Sequence, residues 1–153
     1  MEPKKKADRY KRLYEQLQDL LKDKPNSSAS MATIVAVLHN KMEYFFWTGF
    51  YLLDRGELIV GPYQGSLACI KLKKDTGVCW AGISRGETVI VPDVHEFPGH
   101  IACDSRSKSE IVVPIRDEAG HIIGVLDVDS KDYGSFDETD KEWLERIAML
   151  IES

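Results

Sequence analysis

The spacing of apolar residues changes at Tyr44, and that change restricts the possible folds more than any other feature. Before it, Leu13, Leu17, Leu20 and Leu21 recur every three or four residues between Lys5 and about Lys22, the spacing of an amphipathic helix that Lys24-Pro25 would end. Asn26-Ser27-Ser28 then offers capping side chains to a second helix, with Met31, Ile34, Val35, Leu38 and Met42 as its buried stripe. After it, the run Phe45 to Leu53, the turn Asp54-Arg55-Gly56 and the run Glu57 to Val60 predict a β-hairpin. Further strands are expected near Ala68 to Leu72 and at Thr88 to Val91, Glu110 to Ile115 and Ile122 to Val128. A short helix is expected from about Gly77, and Asp117 to Gly120 reads as a tight turn joining the last two strands. Phe136 to Asp140 opens a terminal helix with Asp137 as its cap and Leu144, Ile147, Ala148 and Ile151 on one face. Two helices layered on five or six largely antiparallel strands, closed by a third helix, make an α+β domain.

With 153 residues and 43% hydrophobic content, the chain can bury one continuous core. One domain over residues 1–153 is therefore expected, with a helical layer at 1–43 and a sheet, a long loop and the terminal helix at 44–153. The formal net charge of -5 opposes a main role in binding nucleic acid or an anionic membrane, both of which need a cationic face. A small neutral or zwitterionic ligand fits better. No stretch approaches the roughly 18 to 20 apolar residues that span a bilayer, and Met1-Glu2-Pro3-Lys4-Lys5-Lys6 lacks the apolar segment of a signal peptide. A soluble, cytoplasmic protein is expected. Cys69, Cys79 and Cys103 are too few for a secreted disulfide scaffold, which leaves them buried, metal-bound or catalytic.

Between Val91 and Ser109 lies the one long segment without clear periodicity, and such loops in compact domains are commonly functional. It contains His95, Phe97, Gly99, His100, Cys103 and Asp104. Glu110, Asp127 and Asp129 sit in or at the ends of otherwise apolar strands, and Asp127 and Asp129 alternate so as to face one side. Trp47 and Tyr51, four apart on one strand, also share a face. Each has a plainer reading: a cysteine as a small buried hydrophobe, an acid as an exposed charge or strand-end cap, an aromatic as core. A zinc site from His95, His100 and Cys103 is a further option, although their spacing lacks the short intervals of metal motifs.

Several stretches resemble the free methionine-(R)-sulfoxide reductases, which are built on the GAF fold. They are Trp47-Thr48-Gly49-Phe50-Tyr51, Gly61-Pro62-Tyr63-Gln64-Gly65 with Ala68-Cys69, Gly77-Val78-Cys79, and Val91-Pro92-Asp93-Val94-His95. The likeness continues through Phe97-Pro98-Gly99-His100-Ile101-Ala102-Cys103-Asp104, Ser107 to Pro114 and Gly124 to Ser130, so it runs from Trp47 to the C-terminal end. The cysteine intervals of ten and twenty-four residues agree with that family's spacing. Two stretches depart from it. Trp80-Ala81-Gly82 follows Cys79 where the family usually carries a small residue, and Lys71 to Thr76 lacks the usual Gly-rich approach to that cysteine.

The resemblance implies a GAF-like domain with the N-terminal and C-terminal helices on one face of about six strands. It further implies reduction of the free amino acid methionine-(R)-sulfoxide in the defence against oxidative stress. In that chemistry a thiolate attacks the sulfoxide sulfur, an acid protonates the departing oxygen, and a sulfenic acid is left on the enzyme. By resemblance Cys103 is the nucleophile, Cys69 the main resolving cysteine and Cys79 an auxiliary one. The Cys69–Cys103 disulfide would be recycled by thioredoxin or a similar dithiol, with no bound cofactor. Glu110 and Asp129 would stand near the sulfoxide, Asp127 nearer the substrate ammonium, and Trp47 and Tyr51 would wall the pocket at the methyl end. His100 can act as a cation beside the Cys103 thiolate or anchor the loop by a hydrogen bond. His95 and Asp93 read as structural, and Gly99 supplies backbone freedom. A homodimer is also implied. The rival classes are a non-catalytic GAF sensor of a small ligand, and an interaction protein switched by Cys69 and Cys103.

Overall fold

A computed structural model describes residues 1–23, 26–100 and 103–151. The helix stop at Lys24-Pro25 and the Ile101-Ala102 pair of the long loop lie outside the described residues. Helix α1 spans Pro3–Leu20, with the proline in the first turn, where its missing N–H costs nothing. Its buried stripe is Lys6, Tyr10, Leu13 and Leu17, continued by Leu21 just past its end. Leu20, expected on that face, is 51% exposed because it lies about 60° round the helix from Leu17 and about 100° from Leu21, at the edge of the stripe. Helix α2 spans Ser27–Lys41, and the Asn26 side chain accepts the Ala29 N–H at 2.9 Å to cap it.

The strands are β1 (Trp47–Asp54), β2 (Glu57–Gln64), β3 (Lys71–Leu72), β4 (Val89–Val91), β5 (Ser109–Arg116) and β6 (Ile122–Ser130). They form one sheet in the order β3-β2-β1-β6-β5-β4, and each neighbouring pair is antiparallel. Helix α3 (Gly77–Arg85) lies between β3 and β4, and α4 (Glu138–Ala148) follows β6. Strand β2 runs four residues past Val60 because an irregularity opposite Gly49 and Tyr51 lets pairing with β1 resume at Tyr63. Strand β3 shrinks to two residues: the Ile70 carbonyl still accepts the Val60 N–H at 2.8 Å, but the Cys69 carbonyl is taken by the Tyr51 hydroxyl.

Period-two alternation divides the sheet into two faces. Phe50, Ile111, Val113, Leu126 and Val128 point to the face covered by α1, α2 and α4, and these elements share one hydrophobic core. Asp137 and Asp140 form a capping box at the start of α4. The buried Asp140 also accepts from Lys6 at 2.6 Å and from the hydroxyl of Tyr10 at 2.6 Å, which ties α1 to α4. Trp47, Tyr51, Val112 and Val125 point to the opposite face, where α3 packs with Val78, Cys79 and Trp80 in a second core. Among the described residues no helix is long and apolar enough to cross a membrane.

Candidate active site

The second face gathers its polar groups through strand register. Asp129 on β6 pairs with Trp47 on β1 and with Glu110 on β5, so the three stand in one cross-strand row. In the next row on the same face Asp127 lies between Gly49 and Val112. Gly49 is needed there: a Cβ would come 2.4 Å from the Tyr63 Cβ and 2.6 Å from the Trp47 ring. That space lets the Trp47 ring stack between Tyr51, at 5.7 Å between centroids, and Tyr63, at 5.3 Å.

The same aromatics hold a cysteine over the sheet. The Trp47 indole Nε1 donates to the Ser66 carbonyl at 3.0 Å, and the Tyr51 hydroxyl donates to the Cys69 carbonyl at 3.1 Å. Burial, followed by the nearby acids, pushes the Tyr51 phenol up, so it stays protonated as a donor. Cys69 is disulfide-bonded to Cys103, with 5.6 Å between the two Cα atoms. Cys103 is exposed and Cys69 half-buried. Behind Cys103, Arg106 donates to the Asp104 carboxylate at 2.7 Å and holds that acid well below the usual carboxylate range.

These residues surround a cavity of about 230 Å³. Trp47, Tyr51, Cys69, Cys79, Cys103, Glu110, Asp127 and Asp129 all line it, so every expected site residue meets there. Burial pushes Glu110 well up, and the neighbouring Asp127 and Asp129 push it further. Burial likewise raises Asp127, and it raises Asp129 with Asp127 and then Asp104 adding to the effect. Such a cluster holds protons at pH values where exposed carboxylates have lost theirs, and it welcomes a cation. Cys79, buried in α3, is pushed up by burial first and then by Asp127, Glu110 and Asp129, so it is a thiol and not a thiolate. Trp80 takes its place in the second core, one position along the helix from Cys79, and leaves α3 unbroken.

His100 lines the cavity, but burial and then His95 lower its pKa, so the ring is neutral near pH 7. With Cys103 held in the disulfide there is no thiolate beside the ring, and His100 carries no charge in this form. The loop-anchoring alternative finds no support either, since the buried Nε2 has no hydrogen-bond partner among the described residues. His95 is turned to Asp93, whose carboxylate lies 3.0 Å from its Nδ1, and this local pair fits a structural role. Among the described residues the donor atoms that converge are those of Cys79, Glu110 and Asp127, and not those of His95, His100 and Cys103. Gly99 has φ +75° and packs against Thr76 and Gly77, a left-handed turn that needs glycine.

One contribution was not read from the sequence. The N-terminus of α3 opens on the cavity, whose lining includes Thr76, Gly77 and Val78. The Thr76 side chain does not cap it, and among the described residues no other side chain bonds its first-turn amides, so the positive end of its dipole is left to that space. The signal was the pair Thr76-Gly77 just ahead of a helical run.

The GAF domain family model matches residues 29–153. A Saccharomyces cerevisiae protein named free methionine-R-sulfoxide reductase is 52% identical over 108 residues, covering 69% of this chain and 60% of that protein. The Escherichia coli protein of the same name is 37% identical over 147 residues, covering 96% of this chain and 88% of that protein. A crystal structure of free methionine-R-sulfoxide reductase from Neisseria meningitidis in complex with its substrate superposes with a TM-score of 0.90 at 42% identity. The match covers 95% of this chain and 87% of that one. The chain belongs to the GAF-domain family of free methionine-R-sulfoxide reductases.

Proposed function

We propose that this protein reduces free L-methionine-(R)-sulfoxide to L-methionine. The observation that carries this reading is the Cys69–Cys103 disulfide on the same small cavity as three buried or half-buried acids. In the reduced protein, the Cys103 thiolate attacks the sulfoxide sulfur, and Glu110 with Asp129 gives a proton to the departing oxygen. Methionine leaves, and Cys103 is left as a sulfenic acid. The Cys69 thiol displaces its hydroxyl as water, forming the disulfide. Overall one sulfoxide and two thiols become one thioether, one disulfide and one water. Thioredoxin or a similar dithiol then reduces the disulfide by exchange. Cys79 is an auxiliary thiol whose buried, protonated state makes it a slow nucleophile.

A free amino acid differs from a peptide residue in carrying both an ammonium and a carboxylate. Asp127 takes the ammonium, and the unclaimed first-turn amides of α3 take the carboxylate, so a blocked residue loses two charged contacts. Trp47 and Tyr51 wall the methyl sulfoxide end. The same reading treats residues 1–153 as one domain, acting in the cytoplasm, as a homodimer, with no bound cofactor. A ligand sensor on this fold would have no use for a disulfide at the pocket mouth. The test is a single turnover of reduced Cys69→Ser protein with free methionine-(R)-sulfoxide. One equivalent of methionine, with a dimedone adduct on Cys103, is expected; no methionine and no adduct would contradict the reading.

A further inference from the structure

We propose that the floor of the cavity is also a site for a thiophilic divalent metal ion, zinc above all, held by Cys79, Glu110 and Asp127, and that metal there excludes the amino-acid substrate. Their sulfur and two carboxylate oxygens lie within 4.8 Å of one another, and all three residues are buried. A tetrahedral zinc ion holds thiolate and carboxylate donors on the order of 3.5 Å apart, so side-chain rotation closes the remaining gap. An independent observation points to a ligand: Asp127 is only 5% exposed, yet among the described residues its buried Oδ1 has no hydrogen-bond partner. Asp129 lines the same cavity and can complete the coordination, as can a water molecule.

Three acids and a thiol in one buried space repel one another as they ionise, and a dication relieves that repulsion. The Cys79 thiol gives its proton to solvent as the metal–sulfur bond forms, with no change of oxidation state. The sulfur donor favours zinc over magnesium or calcium. Since Cys69 and Cys103 are bonded to each other, Cys79 is the free thiol of the oxidised protein, and the site persists in that form. The exclusion of substrate rests on the proposed function, in which Asp127 receives the ammonium and cannot serve both cations at once.

Titration of the oxidised, full-length protein with Co²⁺ tests this, followed by the thiolate-to-cobalt charge-transfer band. The expected result is a band that saturates at one equivalent, is displaced by Zn²⁺ and is lost in Cys79→Ser. Asp127→Asn, checked for folding by circular dichroism, is expected to weaken Co²⁺ binding about tenfold or more. Free methionine sulfoxide is expected to raise the Co²⁺ concentration needed for half-saturation. No band from the folded wild-type protein, or an undiminished band in Cys79→Ser, overturns the site. A band that free methionine sulfoxide leaves unshifted overturns the exclusion of substrate. The readout needs no turnover, so a protein that gives the cobalt band but reduces no sulfoxide upholds the metal site while the reductase reading fails.

Discussion

Glu110 is 5% exposed, and burial together with Asp127 and Asp129 holds its proton in place. In the proposed reaction that proton goes to the sulfoxide oxygen, so Glu110→Gln is expected to lower kcat by about 10²- to 10⁴-fold, the usual worth of a positioned acid. Turnover of the wild-type protein is expected to decline as pH rises through the raised Glu110 value, and this limb of the kcat profile should disappear in the variant. The same group destabilises the fold. Its folded-state pKa lies above the unfolded one, so its contribution to stability is complete below about pH 4 and is lost as pH rises through the folded value. Glu110→Gln should therefore melt higher than the wild-type protein at pH 7, and the gap should narrow toward pH 4. Melts at the two pH values check this. The composition of the acidic cluster was legible in the sequence, because Asp and Glu inside apolar strands demand partners. The convergence of Asp127 with Cys79 was not, since nothing in the spacing places α3 over β6.

At the scale of elements, the pairing of β1 with β6 sets the site, because it puts Trp47 beside Asp129 and Gly49 beside Asp127. That pairing depends on a close approach at Gly124, which lies opposite Leu52. A Cβ there would stand 2.3 Å from the Tyr51 carbonyl oxygen and 3.0 Å from the Leu52 Cα, both backbone atoms that cannot turn aside. Gly124→Ala is expected to cost about 3 kcal/mol in urea unfolding and to displace the Tyr51 contact with Cys69. Strands β1, β5 and β6 were readable as short apolar runs rich in aromatic or β-branched residues, as was the Asp137 cap of α4. The two-residue β3 was not, because Ala68 to Ile70 looks strand-like locally while the Cys69 carbonyl is taken by the Tyr51 hydroxyl. Leu20 fails for a related reason: leucine spacing alone fits two overlapping stripes, and the docking of Lys6 and Tyr10 on Asp140 selects the other.

Over the whole molecule, two layers divide the labour. The α1, α2 and α4 layer holds most of the buried apolar side chains and the Lys6–Asp140 pair, while the α3 layer carries the disulfide and the acidic cavity. A disulfide spanning 34 residues in the thinner layer changes stability with redox state. Closing a loop of that length in the unfolded chain predicts an oxidised form more stable by about 3 to 4 kcal/mol, read from denaturant unfolding with and without a reductant. The family likeness was visible in the sequence because its motifs fall on residues that the sheet brings to one face. The α3 contribution stayed hidden because Thr76-Gly77 marks where a helix starts and not what its amides face. The proposed activity is that of a thiol enzyme specific for one epimer of a free amino acid. Its most direct test is NADPH oxidation coupled through thioredoxin reductase and thioredoxin, with free methionine-(R)-sulfoxide, the S epimer and a blocked peptide-like analogue as substrates and Cys103→Ser as control. Turnover confined to the free R epimer and abolished in Cys103→Ser is the predicted result; no turnover with any of the three, even with dithiothreitol as reductant, would contradict the account.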